Sequence, residues 1–255
     1  MANQTQKIAF ITGGSRGLGR NAAESLARRG VDAVITYHSH GDEARAVVAA
    51  IEAEGRKAVA LQLDTGAVAS FDRFAATLKS ALRDTWGRER FDYLVNNAGT
   101  SHHNAFEKTT EEELDSLYNV HFKGVFFLTQ KLLPLIEDGG RIILISSGLT
   151  RLAMPGSASY ASMKGAVEVL TRYLAKELGP RRIAVNTVAP GAIATDFSGG
   201  MVRDNPDLNK RVADMTALGR AGLPDDIGPM IASLLSEDNR WINAQRIEVS
   251  GGMVI

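Results

Sequence analysis

The stretch IAFITGGSRGLGRNAAESLARRG, residues 8–30, decides the fold because it passes from an apolar run through a glycine-rich turn into a helical pattern. Gly13, Gly17 and Gly19 permit a tight turn and let a pyrophosphate approach the backbone N–H groups at a helix N-terminus, where the helix dipole favours anions. The spacing is Gly-x-x-x-Gly-x-Gly rather than Gly-x-Gly-x-x-Gly, so a glycine-rich turn without a ligand is the alternative. The strand before it and the helix after it favour a dinucleotide-binding turn.

Outward from this stretch, short apolar runs alternate with helical patterns. Continuously apolar strands separated by helices imply a parallel sheet covered on both faces. With no linker, low-complexity segment or repeat, we expect an α/β fold: one doubly wound, Rossmann-type parallel sheet with helices on both faces, in a single domain of residues 1–255. Strands are expected at 7–11, 33–37, 58–63, 91–95, 141–146, 182–188 and 246–249, and helices at 17–29, 42–54, 68–84, 111–135 and 157–178, with two more within 197–236.

The composition narrows the possible partners. The 255 residues are 44% hydrophobic, enough for one large core, and 29 basic residues balance 29 acidic ones. We therefore expect neither a nucleic-acid partner nor an anionic membrane surface. The absence of cysteine excludes disulfides and thiolate ligands, and no metal site is expected. A polar N-terminal MANQTQK and the lack of about 20 consecutive apolar residues predict a soluble, cytoplasmic protein.

The end of the second predicted strand indicates which nicotinamide cofactor fits. An acidic residue there would hold the ribose 2′-hydroxyl of NAD. This chain instead has Thr36, Tyr37, His38 and Ser39, with no carboxylate to repel a 2′-phosphate. His38, Ser39 and Arg16 of the glycine turn can donate hydrogen bonds to that phosphate, so NADP(H) is favoured over NAD(H). A solvated surface arginine at position 16 is the alternative and leaves the choice open.

A second motif lies in SASYASMKGAVE, residues 157–168, where Tyr160 precedes Lys164 by four positions. Residues four apart lie on the same helix face, so the two side chains can meet. A free phenol has a pKa of about 10, and a nearby cation favours its ionised form. We expect Lys164 to lower the pKa of Tyr160 and so prepare a proton donor and acceptor. A Tyr-x-x-x-Lys pair also arises by chance, so it needs support from the rest of the chain.

That support comes from motifs in a fixed order, which together resemble the classical short-chain dehydrogenase/reductase family over nearly the whole chain, and its 3-oxoacyl reductase branch most closely. The matching segments are TGGSRGLG at 12–19, NNAG at 96–99, ISS at 145–147, SYASMK at 159–164, APGAIATDF at 189–197, and LGRAGLPDDI at 218–227 with VSGG at 249–252. The resemblance implies that Asp64 contacts the adenine. The residues expected to bind the cofactor are Gly13, Ser15, Arg16, Gly17, Leu18, Gly19, His38, Ser39, Asp64, Asn97, Ala98, Gly99, Tyr160, Lys164, Pro190, Gly191, Ile193 and Thr195.

The resemblance also implies the chemistry. Tyr160 would exchange a proton with the substrate oxygen while a hydride moves to or from the nicotinamide, and Ser147 would hydrogen-bond the carbonyl. Lys164 would lower the tyrosine pKa and bind the nicotinamide ribose. The chemistry of the reaction supports these roles, because hydride addition to a ketone builds negative charge on the oxygen and a hydrogen-bond or proton donor must lie beside it.

One segment departs from the family pattern Asn-x-x-Gly-x-Phe. In YNVHFKGVFFLTQ, residues 118–130, counting back from Gly124 and Phe126 places His121 at the asparagine position, with Asn119 two residues earlier. Two residues turn a helix by about 200°, so both cannot face the site. His121 continues an apolar series and is therefore expected to face inward and serve in catalysis, by holding a water that relays protons to Lys164 or by titrating near pH ~6 to 7. A histidine that only packs the core is the alternative. The series is Leu114, Leu117, Val125, Leu128 and Leu132.

The resemblance places a variable substrate pocket at Arg151, Met154, Ala192 and residues 197–210, which are mostly apolar with one positive charge in the pocket. The polar part, 203–210, is expected to be a mobile surface lid. The family pairs its subunits through helices at 111–135 and 157–178, which implies a homotetramer or a homodimer.

These features favour an NADP(H)-dependent oxidoreductase that interconverts a ketone and a secondary alcohol on a small-molecule, largely apolar substrate. The alternative is a non-catalytic NADP(H)-binding regulator or scaffold on the same fold, which only the altered asparagine supports. A sugar epimerase or dehydratase is disfavoured, because the extended relatives with those activities carry a longer C-terminal substrate region.

Overall fold

A seven-stranded parallel sheet organises the computed structural model, which describes residues 6–255. The strands lie in the order β3-β2-β1-β4-β5-β6-β7, so the chain winds in opposite directions from β1. Ligands of such sheets bind where the winding reverses, at the carboxyl ends of the strands. The predicted doubly wound fold is confirmed. The strands are β1 Ile8–Ile11, β2 Asp32–Tyr37, β3 Ala58–Gln62, β4 Phe91–Asn96, β5 Ile136–Ile145, β6 Ala184–Pro190 and β7 Arg246–Val249.

Helices cover both faces of the sheet and enclose two apolar cores. One core joins the sheet to α1, α2 and α9, and the other joins it to α3, α5 and α6. Successive residues of β1 enter different cores, Ile11 the first and Phe10 the second, so the strand is buried on both sides. The helices are α1 Gly17–Ala27, α2 Gly41–Ala53, α3 Phe71–Trp86, α4 Glu111–Tyr118, α5 Gly124–Leu132, α6 Ala158–Glu177, α7 Met201–Asp204, α8 Pro206–Asp214 and α9 Pro224–Leu234.

The helix predicted at 111–135 is wrong as one continuous α-helix. It is divided into α4, a π-helical segment over Asn119–Lys123, α5 and a final 3₁₀ turn. The widened turn closes with Gly124 N–H donating to the Asn119 carbonyl. A Cβ on Gly124 would stand 2.0 Å from the carbonyl oxygen of Thr65, so only glycine fits there. The π segment turns the buried His121 toward the sheet edge that carries the site.

Further bounds differ from expectation: β6 begins two residues and α3 three residues later than predicted, and the segment 197–236 holds three helices, α7, α8 and α9, instead of two. β5 begins at Ile136, five residues earlier than predicted, because Ile136 already pairs with Phe91 of β4; an irregular stretch follows, and regular pairing resumes with Arg141 opposite Tyr93. The segment predicted as a lid, 203–210, is occupied by α7 and α8, and nothing in the structure tests its mobility.

Three expectations concern the chain as a whole: a single domain, no membrane span and no metal site. A single domain of residues 1–255 stays a prediction, and residues 1–5 lie outside the described part. No helix within residues 6–255 is long and apolar enough to cross a membrane. The same residues contain no group of three or more metal-ligating side chains.

Candidate active site

A cavity of about 970 Å³ opens at the carboxyl edge of the sheet. Its walls come from the β1–α1 turn, the ends of the following strands, α6, and the segment that carries α7 and α8. Every predicted cofactor or catalytic residue lines it except Gly19. A Cβ on Gly19 would lie 2.2 Å from the Gly13 carbonyl oxygen, so this glycine lets α1 approach the turn instead of facing a ligand.

Hydrogen bonds from the residues that follow β4 fix the conformation of the glycine turn and leave room there for an anion. Asn97 Nδ2 donates to the carbonyls of Thr12 and Gly13 at 2.9 and 3.1 Å. Thr12 Oγ1 accepts from the amides of Asn97 and Ala98, both at 2.9 Å. No side chain caps the start of α1, so its first amides are available to a phosphate. The arrangement fits a dinucleotide, and Thr12, which the sequence did not single out, holds it together.

The residues expected near a 2′-phosphate lie together at one end of the cavity. His38 Nε2 is 3.9 Å from Asp64 Oδ2, and Ser39 Oγ lies 3.0 Å from His40 Nδ1. Arg16 is exposed, and its guanidinium makes no hydrogen bond or ion pair with any residue in the described part of the chain. An arginine without a partner at a cavity rim fits a phosphate group.

Three side chains expected to act in chemistry converge on one wall. Ser147 follows β5, while Tyr160 and Lys164 project from the first two turns of α6. Lys164 is buried, and its Nζ donates to the Ile145 carbonyl at 2.7 Å while lying 5.6 Å from the centre of the Tyr160 ring. The strand end and the helix thus place hydroxyl, phenol and ammonium groups side by side.

Burial dominates the protonation of this pair. The protein packed around the phenol raises the pKa of Tyr160, although its ring partly faces the cavity, and a hydrogen bond with Ser147 lowers it less. Burial also lowers the pKa of Lys164 to about 7. The net shift of the Tyr160 pKa is therefore upward, because desolvation is its largest cause, and a lowering of that pKa by Lys164 stays a prediction.

His121 faces the cavity, as its register predicted, whereas Asn119 does not line it. Its Nε2 lies 2.6 Å from the Thr100 carbonyl oxygen and 3.2 Å from the Thr100 amide nitrogen; the shorter contact requires a proton on Nε2, which leaves Nδ1 of the neutral ring unprotonated. Nδ1 is buried without a hydrogen-bond partner among residues 6–255. The ring meets Tyr160 edge-on, with centroids 5.2 Å apart.

The predicted titration of His121 between pH ~6 and 7 is wrong. Burial first, and then the charge of Lys164, lowers the pKa of His121 to about 3. The imidazole is therefore neutral over the working range of most enzymes. Gly99 is what admits it, because a Cβ on Gly99 would stand 2.7 Å from the ring.

The remaining wall is apolar and aromatic. The Phe197 and Tyr160 rings have centroids 6.0 Å apart. The cation predicted here, Arg151, does not line the cavity, because it pairs with Glu248; Arg211 of α8 lines it instead. The apolar residues of this wall are Leu149, Leu152, Met154, Pro155, Ala192, Phe197, Met201, Val202, Leu208, Val212, Met215 and Met253.

Comparisons with known proteins find reductases of similar sequence and fold. The sequence model of a family described as Enoyl-(Acyl carrier protein) reductase matches residues 13–254. The Hydroxynaphthalene reductase-like protein Arp2 of Metarhizium brunneum is 36% identical over 259 residues, covering 97% of this chain and 95% of its own.

Two solved structures have nearly the same fold. The promiscuous reductase LugOII, which catalyses keto-reduction at C1 during lugdunomycin biosynthesis, superposes with a TM-score of 0.93 at 38% identity, with all of both chains covered. The angucycline C-6 ketoreductase LanV, solved with bound NADP, has a TM-score of 0.92 at 36% identity, covering 97% of this chain and 95% of its own.

Proposed function

Since the chain belongs to the short-chain dehydrogenase/reductase family, we propose that it is an NADP(H)-dependent oxidoreductase that interconverts a ketone and a secondary alcohol by hydride transfer. One observation carries the proposal: Ser147, Tyr160 and Lys164 meet on one wall of the cavity that also contains the glycine turn. The non-catalytic alternative gains nothing from relatives that are named as reductases.

The side chains divide the work according to their protonation. NADPH, when bound, supplies the hydride for the carbonyl carbon. As the carbonyl electron pair moves to oxygen, Ser147 donates a hydrogen bond to it and Tyr160 transfers its hydroxyl proton to it. The raised pKa of Tyr160 keeps the phenol protonated before the reaction, which suits the reductive direction. Lys164 stabilises the phenolate that remains and returns a proton to it.

His121 is proposed as the fourth member of this group. Its neutral Nδ1 is a buried acceptor on a ring that meets the Tyr160 ring edge-on, and it lacks a protein partner among the described residues. Such an atom can hold a water molecule that carries protons toward Lys164. Because His121 is neutral, it acts as a fixed acceptor and not as a titrating acid.

The finer substrate class is a ketone on an aromatic framework. Met154, Met201, Met215 and Met253 line the substrate end together with the Phe197 ring. Thioether sulfurs pack favourably against aromatic rings and adapt to irregular shapes. The names of the hydroxynaphthalene and angucycline reductases support the same class.

Assembly and location are also proposals. Leu114, Tyr118, Phe126, Val169 and Tyr173 are exposed on α4, α5 and α6. Large apolar side chains grouped on the surface of one helical layer support pairing of subunits there, in a homodimer or a homotetramer. The cytoplasmic location expected from the sequence stays a prediction.

A screen of aromatic and aliphatic ketones with NADPH and NADH tests the function, followed through the absorbance of the reduced nicotinamide. We expect NADPH oxidation and an alcohol product with aromatic ketones. Arg16→Gln should raise the KM for NADPH about 10-fold, because hydrogen bonds to charged groups contribute about 1.5–3 kcal/mol, and should leave the KM for NADH unchanged. The proposal fails if no ketone is reduced with either cofactor.

A further inference from the structure

We propose that Glu168 and Arg246 are positioning residues that hold the serine turn, residues 146–150, through contacts outside the cavity. The ionic network to which they belong also joins this turn to the C-terminal segment that contains Met253. The network consists of Glu168, Arg246, Glu248 and Arg151, and none of the four lines the cavity. The inference rests on the proposed function, because it assigns these residues an effect on the turnover that Ser147 supports.

Glu168 binds both flanks of the serine turn. It follows Lys164 by one helical turn of α6, and its Oε1 accepts hydrogen bonds of 2.7 Å from Ser146 Oγ and from Thr150 Oγ1. Ser146 Oγ also lies 3.4 Å from the Lys164 carbonyl oxygen. One carboxylate oxygen therefore ties the residues on either side of Ser147 to the helix that carries the catalytic lysine.

Arg246, from β7, completes the clamp. Its Nε donates to Glu168 Oε1 at 2.7 Å, and its Nη2 lies 3.1 Å from Thr150 Oγ1 and 3.3 Å from the Ser147 carbonyl oxygen. The main chain of the catalytic serine is thus held directly, through a guanidinium whose planar donors have fixed directions. Both side chains are largely buried, so water competes poorly for these bonds.

The same network reaches the cavity wall from the other side. Arg246 Nη1 donates to Glu248 at 3.0 Å, and Glu248 receives two hydrogen bonds from Arg151, at 2.7 and 2.8 Å. Arg151 also donates to the carbonyls of Met253 and Val254 at 2.7 and 2.9 Å. Met253 lines the cavity. The Arg151 bond, followed by those of Ser250 and Arg246, lowers the pKa of Glu248 to about 2, which keeps the pair ionised at every pH of interest.

The physical consequence is an effect on rate and not on binding. A displacement of about 1 Å of a group that aligns the reacting oxygen costs on the order of 10²-fold in rate. Glu168→Gln keeps the volume and one acceptor but removes the charge that collects three donors on one oxygen. The turn would then relax, while the glycine turn and the apolar wall would keep their contacts.

The test compares kcat and KM for an aromatic ketone in the parent, Glu168→Gln, Arg246→Gln and the double variant. We expect each single variant to lower kcat about 10-fold or more, with both KM values within about twofold, and the double variant to be no worse than the poorer single one. Asp138→Asn is the matched control, because it removes the carboxylate of another arginine pair, with Arg181, at the opposite edge of the sheet. It should leave kcat unchanged.

Several outcomes overturn the inference. It fails if kcat of both single variants stays within about twofold of the parent, if only KM changes, or if Asp138→Asn loses as much rate. Should Glu168→Gln not fold, Thr150→Val removes a single donor of nearly the same shape and should still lower kcat several-fold; an unchanged kcat overturns the inference.

A crystal structure distinguishes a failure of this inference from a failure of the proposed function. If the parent reduces no ketone, the proposed function fails, and the network is then judged by the position of Ser147 in Glu168→Gln or, where that variant does not fold, in Thr150→Val. We expect a displaced serine turn and an unchanged C-terminal segment, which Arg151 and Glu248 still hold. A turn that superposes on that of the parent overturns the inference.

Discussion

Two walls of the same cavity are built in different ways. The polar wall comprises the glycine turn, the ends of β4 and β5, and the first turns of α6, and its functional groups are held by hydrogen bonds from more than one element. In the apolar wall, the larger part, residues 197–215 with Met253, is tied to the rest of the cavity mouth by few such bonds, among them Ser101 Oγ to Ser198 Oγ at 2.8 Å. Its backbone contains three successive left-handed residues, Ser198, Gly199 and Gly200.

The difference indicates where catalysis and selectivity reside. A network of directed bonds fixes geometry, and fixed geometry determines kcat. A wall of flexible thioethers adapts to its ligand and distributes its effect over many small contacts. Changes near Ser147, Tyr160 and Lys164 in the polar wall should therefore act on kcat, and changes in the apolar wall on the KM for the ketone and on the choice of ketone.

Tyr160→Phe should have the largest effect. The phenylalanine keeps the ring and its contact with His121 but removes the proton that neutralises the developing alkoxide. We expect kcat for ketone reduction to fall about 10³-fold with KM nearly unchanged, since general acid catalysis contributes about 10²–10⁴-fold. Steady-state kinetics with NADPH measures this. A variant as fast as the parent would show that Tyr160 does not supply the proton and that the polar wall does not act in the reaction.

Lys164→Met should lower kcat by about 10²-fold, which is a smaller loss than that of Tyr160→Phe. The same substitution should raise the stability of the folded protein. Burial lowers the pKa of Lys164 from 10.5 to about 7, so between these values the unfolded chain binds more protons than the folded one and the stability of the parent rises with pH. The buried lysine is therefore most costly to the fold below pH 7.

Thermal unfolding of Lys164→Met and the parent across this pH range measures the linkage. The variant should gain Tm relative to the parent at pH 6, and the gain should shrink as pH rises toward 10.5. A difference in Tm that does not change with pH would mean that Lys164 is not desolvated in the folded protein.

His121→Ala should lower kcat about 10-fold, whereas Asn119→Ala, two residues away and outside the cavity wall, should lower it little. The variant His121→Asn places an amide acceptor near the same position and should recover part of the rate. Because the pKa of His121 is lowered to about 3, the pH profile of the parent should show no group that depends on this residue between pH ~5 and 8. A larger loss in Asn119→Ala would reverse the assignment.

The sequence predicted which residues form the polar wall, but not the direction in which their pKa values shift. Local patterns such as the glycine turn, the Tyr160–Lys164 spacing and the register of His121 survive folding, because neighbours on one turn or helix stay neighbours. The pKa values of these groups depend on how deeply the whole fold buries them, which no local pattern contains.

The ionic network was missed for a related reason. Ser146, Thr150, Glu168 and Arg246 are brought together only by the β5–α6 packing and by the pairing of β6 with β7. The one available signal was Glu168, a carboxylate four residues after Lys164 on the same face of α6. Similarly, the polar residues near the start of β5 resemble a loop in sequence, and the pairing of Ile136 with β4 that extends the strand across them is not visible in a local pattern.

Met215→Leu should have the smallest effect and is the most direct test of the apolar wall. Leucine has a similar volume and hydrophobicity, so the fold should be unaffected, and only the thioether contact with an aromatic ring is lost. That contact contributes about 0.3–1.5 kcal/mol, which corresponds to a roughly 2- to 10-fold rise in KM for aromatic ketones. The KM for aliphatic ketones and the kcat for both classes should stay within about twofold of the parent.

Competition between an aromatic and an aliphatic ketone in one reaction measures the change as a product ratio, without depending on enzyme concentration. Equal losses on both ketones would mean that Met215 only fills space, and a loss in kcat would mean that the two walls do not divide binding from rate.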